Sequence, residues 1–481
     1  LFSFDSIKNH QIFLAAHPDG CSIAVHHYLT KIEENKQLNS FLEVFAEEAI
    51  SRANALDAKR KAGAKLGKLH GIVVSLKDVI AYKGHQLTAS SKILEGFTSI
   101  YHATAVQRLL DEDAIIIGRN NCDEFAMGSS NENSAYGVVR NALDINKVPG
   151  GSSGGSAVAV QAGLCMISLG SDTGGSVRQP ADYCGVVGLK PTYGRVSRYG
   201  LIAYASSFDQ IGIFSNNIED AALCLEVISG KDDFDSTVSD KIVPDFPNEI
   251  EQLNKKFRIA YFTQALDHPA LDPQISASIK AFLEILTKKG HFVQAIDFEL
   301  LEHVVPTYYI LTTAEASSNL SRFDGIKYGY HSMLKNADLT ALYKRTRSEG
   351  FGKEVKRRIM LGSFVLSSGY YDAYFTRAQQ VRRKLSDRVK QLFTEYDAII
   401  SPTVPSTAFN IGEKSNDPVE MFLTDIYTVF ANLVGIPSIS VPLFKHSNGM
   451  PFGLQVMSSH FDEVSLLALS KEMLQLKQQI N

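Results

Sequence analysis

Residues 149–156 read Pro-Gly-Gly-Ser-Ser-Gly-Gly-Ser, and residues 170–178 read Gly-Ser-Asp-Thr-Gly-Gly-Ser-Val-Arg. Two Gly-Gly-Ser clusters therefore lie one short helix and one strand apart. Glycine admits positive φ and close backbone approach, and successive backbone N–H groups in such a loop form a nest for an anion. A floppy linker fits poorly, because the clusters flank an apolar run, residues 157–169, that has to be buried. A phosphate loop needs G-x-x-x-x-G-K-[ST], and no lysine follows either cluster at that spacing. Gly151-Ser-Ser-Gly-Gly155 satisfies the G-x-S-x-G nucleophile elbow with Ser153 at its centre, but an elbow sits between a strand and a helix. The residues before it, Asn141 to Pro149, are polar and end in proline, which makes poor strand.

Working outward, residues 154–163 are small enough for a short buried helix, and Cys165 to Leu169 reads as the next strand. Upstream, Gly71-Ile-Val-Val-Ser-Leu reads as a buried strand that delivers Lys77-Asp78 at its end, and residues 114–118 read as another. Apolar residues recur at three- and four-residue steps over 24–62, which predicts helix there, as does the pattern at 103–111. Downstream, polar and proline-broken residues near 230–256 suggest a linker. A strand at 258–262, a helix over about 272–289 and a strand at 291–298 follow, and Ala398–Ser401 and Ser438–Val441 look like strands returning to the main sheet. Alternating strand and helix signals predict an α/β class with a central mixed sheet flanked by helices. The expected organisation is an N-terminal helical region at 1–62, a core with the serine clusters at 63–235, a smaller inserted helix-rich lobe at 236–395, and a return to the core sheet at 396–481.

Composition excludes several classes. Of the 481 residues 44% are hydrophobic and 21% charged, as in soluble globular proteins, and the formal net charge is −4. A chain that grips nucleic acid by its own surface carries a basic excess, so any RNA partner would be held elsewhere. Five cysteines without a C-x-x-C pair are neither a disulfide framework nor a zinc spacing. This points to a reducing, cytoplasmic compartment. There is no basic segment leading an apolar core, and the Ala157–Gly170 stretch is too short to span a bilayer, so no membrane association is expected. H-E-x-x-H is absent, and the carboxylates Asp123, Glu124 and Glu132 read as a solvated loop, so no metal is expected.

The two serine clusters, the continuation through Gln179-Pro-Ala and Cys184-Gly-Val-Val-Gly-Leu-Lys-Pro-Thr, and a lysine at the end of an upstream strand resemble the amidase signature family over nearly the whole chain. Within it the chain is most similar to the glutamine-hydrolysing members of tRNA-dependent amidotransferases, through Asp123-Glu-Phe-Ala-Met-Gly, Lys190-Pro-Thr-Tyr-Gly-Arg-Val-Ser-Arg-Tyr-Gly, Glu315-Ala-Ser-Ser-Asn-Leu-Ser-Arg-Phe-Asp-Gly and Glu354-Val-Lys-Arg-Arg-Ile.

Amide hydrolysis needs an activated nucleophile, a proton shuttle to the leaving nitrogen and donors for the tetrahedral oxyanion. None of the thirteen histidines stands out as a base; His70 and His85 merely flank the Lys77 strand. A lysine serves only if neutral, and lowering its pKa from about 10.4 to near 7 requires roughly 4.6 kcal/mol of preference for the uncharged form, which burial can supply. By composition alone Lys77 would pair with Asp78 or point to solvent, the usual fate of a lysine. The resemblance reverses that, implying Ser176 as nucleophile, Ser152 after a cis peptide as relay, and Lys77 as terminal base and acid. It also implies an oxyanion hole from the N–H groups of Thr173, Gly174, Gly175 and Ser176. The implied substrate is glutamine, with Arg358 on its α-carboxylate, Asp425 on its ammonium, and Met127, Gly128, Ser129 and Tyr309 lining the pocket. Ammonia would pass to two further subunits of a heterotrimer, where ATP and Mg2+ drive amidation of Glu-tRNA(Gln), or of Asp-tRNA(Asn), with the misacylated tRNA held mainly by the partner. No cofactor is implied for the amide-opening step itself. The competing readings are a stand-alone amidase for small aliphatic or aryl amides and a non-catalytic binding protein that retains the fold.

Overall fold

Val73–Lys77, Ile115–Asn120 and Ile167–Asp172 are strands without one exposed residue. With Phe41–Val44 as β1 they are β2, β3 and β4. Strands β5 to β11 are Val187–Lys190, Gln210–Ser215, Arg258–Phe262, Phe292–Ile296, Ala398–Pro402, Ser438–Lys445 and Pro451–Ser458. The computed structural model describes residues 2–333, 338–414, 421 and 423–480. Among them these strands form one mixed 11-stranded sheet in the order β1-β3-β2-β4-β6-β5-β10-β11-β9-β7-β8.

The centre of this sheet places the serine clusters. Strand β2 runs parallel to both neighbours, with Lys77 opposite Asn120 of β3 and Leu76 opposite Leu169 of β4. The carboxyl ends of β2 and β4 therefore emerge together, carrying Lys77 and Asp172. In α/β sheets ligands collect at that edge. The helix Gly154–Gln161 is buried from Gly154 through Val160 and packs on β4, so its small residues match the close approach. Its first turn brings the 149–156 cluster to the same edge.

Two parts differ from the periodicity. The stretch 24–62 is not continuous helix: helices Gly20–Glu34 and Ala46–Lys61 are separated by β1, which pairs antiparallel with β3. Phe41 and Val44 fit a helical spacing, but the open backbone edge of β3 offers hydrogen bonds that a local pattern cannot register. The described residues of segment 236–395 join the main core. Its strands β7 and β8 extend the sheet beyond β9, and Ile259, Phe282, Tyr308, Val355 and Leu385 belong to the same buried cluster as Val74 and Leu169.

Helices Val304–Asn319 and Lys353–Val365 pack tightly against each other, and they carry Tyr309 and Arg358. Gly362 permits this approach: a Cβ there would stand 1.9 Å from the Thr313 carbonyl oxygen and 2.7 Å from Ser317 Cβ. Gly362→Ala is accordingly expected to push the helices apart at a cost of about 1–3 kcal/mol. Thermal denaturation should show a lowered midpoint, and an unchanged midpoint would mean that the helices can separate freely.

Candidate active site

Lys77 ends β2 with its side chain wholly buried. It does not pair with Asp78, whose carboxylate takes Arg119 and the N–H groups of Thr88 (3.0 Å) and Ser90 (2.7 Å). The Lys77 ammonium instead meets three hydroxyls: Ser152 Oγ at 2.7 Å, Ser153 Oγ at 2.8 Å and Ser171 Oγ at 2.9 Å. Burial is the main cause that holds its pKa down to about 8. Hydroxyls suit either protonation state, because each can accept from the ammonium or donate to the amine. A neutral Lys77 can therefore take a proton from a serine.

Ser152 follows a cis peptide from Gly151 and is itself fully buried. Ser176 lies on the loop after β4, where it is 9% exposed, the only one of Lys77, Ser152 and Ser176 with access to solvent. The two serine segments are joined by the Ser153 N–H donating to the Ser176 carbonyl at 3.2 Å.

Asp172 and Arg178 hold that loop. The pair is wholly buried, with Arg178 Nε on Oδ2 at 3.1 Å and Nη2 on Oδ1 at 3.1 Å. The same carboxylate accepts the N–H groups of Gly175 (2.8 Å) and Val177 (3.1 Å) and the Asn432 amide (2.9 Å). Burial alone would raise the Asp172 carboxyl, but the charge and hydrogen bonds of Arg178 outweigh it, and the pKa falls to about 2. Arg178 also donates to Thr428 O (2.9 Å), Gln455 Oε1 (2.8 Å) and Asn432 Oδ1 (2.6 Å). Gly175 adopts φ +131°, and a Cβ on it would stand 2.2 Å from Thr428 Oγ1. Its N–H donates to Asp172, which leaves Thr173, Gly174 and Ser176 as the candidate donors without that contact.

The side chains implied for substrate recognition converge beside this loop. Asp425 accepts from Ser129 Oγ at 2.9 and 3.0 Å and from the Tyr309 hydroxyl at 2.8 Å. Burial raises its pKa to about 6 against those bonds and the nearby Arg358 charge. Arg358 lies on the inner face of its helix, bonded to Glu354 Oε1 at 2.9 Å and to the Tyr204 hydroxyl at 2.7 Å, with its guanidinium 5.8 Å from the Tyr309 ring centroid. Its neighbour Arg357 pairs with Glu354 nearer the surface. The Asp425 turn is tied to the serine loop through Thr428, whose hydroxyl donates to Gly174 O at 2.7 Å. Met127 is buried, and Gly128 backs onto Asp123, whose carboxyl carbon would lie 2.4 Å from a Cβ there.

The amidase family pattern matches residues 24–467. The chain is 50% identical to a glutamyl-tRNA(Gln) amidotransferase subunit from Chlorobium phaeobacteroides (strain BS1), covering 98% of each. It is also 50% identical to the corresponding protein of Koribacter versatilis (strain Ellin345), over 92% of each. The solved glutamyl-tRNA(Gln) amidotransferase subunit of Thermotoga maritima is similar with a TM-score of 0.80 at 38% identity, over 97% of this chain and 94% of that one.

The chain belongs to the amidase family.

In this amidase two acidic residues differ from the solvated loop that their sequence context suggests. Asp123 and Glu124 are buried: Asp123 accepts the N–H groups of Asn131 (2.9 Å) and Asn133 (3.1 Å), and Glu124 accepts Gly352 N–H at 2.8 Å. Their neighbours in sequence are polar, so only the backbone that turns back onto them reveals their role. Sequence reasoning also missed Ser153 and Ser171 on Lys77, and Asp172, Arg178, Tyr204 and Asp209. The Asp-x5-Arg spacing from Asp172 to Arg178 is visible in the sequence but does not disclose a pairing. His70 bonds Asp113 at 3.0 Å and His85 bonds Glu48 at 2.7 Å, away from the serine cluster. All five cysteines are buried free thiols, and among the described residues no helix is long and apolar enough to cross a membrane.

Asp172→Asn in this amidase would leave the Arg178 guanidinium buried without its counter-charge. Breaking a buried pair this way costs about 3–5 kcal/mol. Chemical denaturation should read that loss, and a variant as stable as the parent would show that the pair does not hold the loop.

Proposed function

We propose that Ser176 Oγ attacks a carboxamide carbon, that Ser152 relays the hydroxyl proton, and that neutral Lys77 receives it. The support is the 2.7 Å contact between Lys77 and Ser152, the burial that favours neutral Lys77, and the partial exposure of Ser176. Thr173, Gly174 and Ser176 N–H groups stabilise the oxyanion. As the C–N bond breaks, Lys77 returns the proton through Ser152 to the leaving nitrogen, which departs as ammonia and leaves an ester on Ser176. Water then attacks that ester, giving up a proton by the same relay, and the acid product and Ser176 are released. The relay supplies base and acid and the backbone donors supply charge stabilisation, so the proposed step needs no metal. Ammonia release should survive a strong chelator; loss restored by a divalent ion would defeat this relay.

The substrate we propose is glutamine. The observation that carries this is a buried cation and a buried anion, Arg358 and Asp425, meeting on either side of Tyr309 beside the serine loop. An α-carboxylate and an α-ammonium at fixed separation need such a pair, whereas a neutral aliphatic or aryl amide needs neither. Identity of 50% to glutamyl-tRNA(Gln) amidotransferase subunits supports a further step: this amidase feeds ammonia to its partners in a cytoplasmic heterotrimer. The partner amidates Glu-tRNA(Gln), or Asp-tRNA(Asn), with ATP and Mg2+. The net charge of −4 agrees with the tRNA phosphates being held there. Glutaminase assays of the chain alone and with its partners, ATP and misacylated tRNA test this; full activity of the lone chain on neutral amides, with none on glutamine, would favour the stand-alone amidase.

Lys77 must be uncharged to accept the proton, and its free-base fraction rises as pH rises through about 8. The kcat/KM for glutamine should therefore climb about tenfold per pH unit below that value and level off above it. Combining Ser176→Ala with Lys77→Ala should be no worse than Ser176→Ala alone, because members of one relay give non-additive losses. A pH-independent rate, or multiplying losses, would remove Lys77 from the relay.

In the pocket, Arg358→Lys keeps the charge but loses the planar fork. The KM for glutamine should rise about tenfold or more with a smaller change in kcat, as expected for an interaction made equally in ground and transition states. Steady-state kinetics with an unmoved KM would take Arg358 out of carboxylate binding.

A further inference from the structure

Asp209 lies in the loop that leads into β6, and neither the serine relay nor the pocket uses it directly. Its carboxylate is 3% exposed and reaches two places at once. Oδ1 accepts the Thr173 hydroxyl at 2.6 Å, and Thr173 begins the loop that carries the oxyanion donors. Oδ2 accepts the Tyr204 N–H at 2.9 Å, and both oxygens accept the Ala205 N–H, at 3.1 and 3.0 Å. Tyr204 in turn places its hydroxyl 2.7 Å from Arg358 Nη1 and its ring centroid 5.5 Å from the guanidinium. One carboxylate therefore grips the oxyanion loop through Oδ1 and, through both oxygens, the Tyr204–Ala205 backbone whose Tyr204 side chain backs Arg358.

We propose that Asp209 is a positioning residue that couples occupation of the Arg358 site to the geometry of the oxyanion loop. The inference rests on the reading of Arg358 as the α-carboxylate receptor. A carboxylate suits the task because it only accepts, and every group facing it donates. When Arg358 closes on a carboxylate, the Tyr204 hydroxyl moves with it. A shift of the Tyr204–Ala205 peptide is carried through the rigid carboxylate to Thr173. The amidase thereby favours amides that bear the correct charged group: binding at the far end of the substrate sets the donors at the reacting end, which is how remote contacts raise kcat.

Asp209→Asn tests this, since an amide keeps one acceptor and turns an NH2 toward a donor. In the active assembly with glutamine, Tyr204→Phe should raise KM about threefold or more with little change in kcat, and Thr173→Val should lower kcat about tenfold or more. Asp209→Asn should do both. In the Asp209→Asn background each of the other two substitutions should lose most of its effect. A carboxylate that merely stabilises the fold would lower the active fraction without moving KM. The proposal is overturned if Asp209→Asn shifts only one constant, or if its effects multiply independently with the others, as they do at unlinked sites. Should Asp209→Asn fail to fold, the Thr173→Val and Tyr204→Phe cycle decides. The double variant should depart from the product of the single losses in kcat/KM by about threefold or more, and agreement with the product overturns the coupling. Arg358→Lys is the control: if it leaves KM for glutamine unmoved, the carboxylate reading fails, whatever the Asp209 variants do.

Discussion

The buried pair of Asp172 and Arg178 is the interaction on which the rest of this site depends. The loop from Thr173 to Ser176 follows a central strand and contains two glycines, so its own side chains do little to hold it in one shape beyond the Thr173 hydroxyl on Asp209. Asp172 binds the N–H groups of Gly175 and Val177 on either side of Ser176, and Arg178 anchors that carboxylate to Thr428, Asn432 and Gln455 on distant segments. An ion pair without water is tolerable only where hydrogen bonds satisfy the remaining lone pairs and protons, and here they do. The two charges neutralise each other within hydrogen-bond distance.

Burial acts differently at Lys77. Among the described residues no carboxylate bonds to it, and its hydrogen-bond partners are hydroxyls, so burial lowers its proton affinity without an opposing ion pair in contact. This requires Asp78 to be occupied elsewhere, which Arg119, Thr88 and Ser90 achieve. Sheet register then does the positioning. Because β2 and β4 are parallel neighbours, Lys77 and the serine loop leave the sheet side by side, and the small residues of the 154–161 helix let Ser152 and Ser153 approach from below.

Much of this is legible in the sequence. The runs around Val73, Ile115 and Ile167 are strands because they are continuous apolar segments of strand length, and the 154–161 helix is short and buried because its residues are small. Lys77 can be placed at a strand end by counting. Its lowered proton affinity cannot, because that depends on how completely the assembled core buries it beside residues 152, 153 and 171. The β1 strand is hidden in a helical spacing, since what makes Phe41–Val44 extended is the unpaired edge of β3, more than seventy residues away in sequence. Strands β7 and β8 are recognisable, but their joining the main sheet through β9 is not, because pairing partners are chosen by the assembled core.

The sequence by itself determined the chemical type: two Gly-Gly-Ser clusters, a strand-end lysine and their spacing define the amidase family, since a backbone nest with a hydroxyl nucleophile needs those small residues in that order. Tertiary structure alone decided which groups meet. It brought Asp425 to Ser129 across 296 residues of chain and to Tyr309 across 116, turned Asp123 and Glu124 inward, gave the Gly175 N–H to Asp172, and set Asp209 between Thr173 and Tyr204. The physical reason is that local patterns record burial and backbone preference, which act over a few residues. Hydrogen bonds and charge pairs between distant segments exist only once the sheet has fixed where those segments lie.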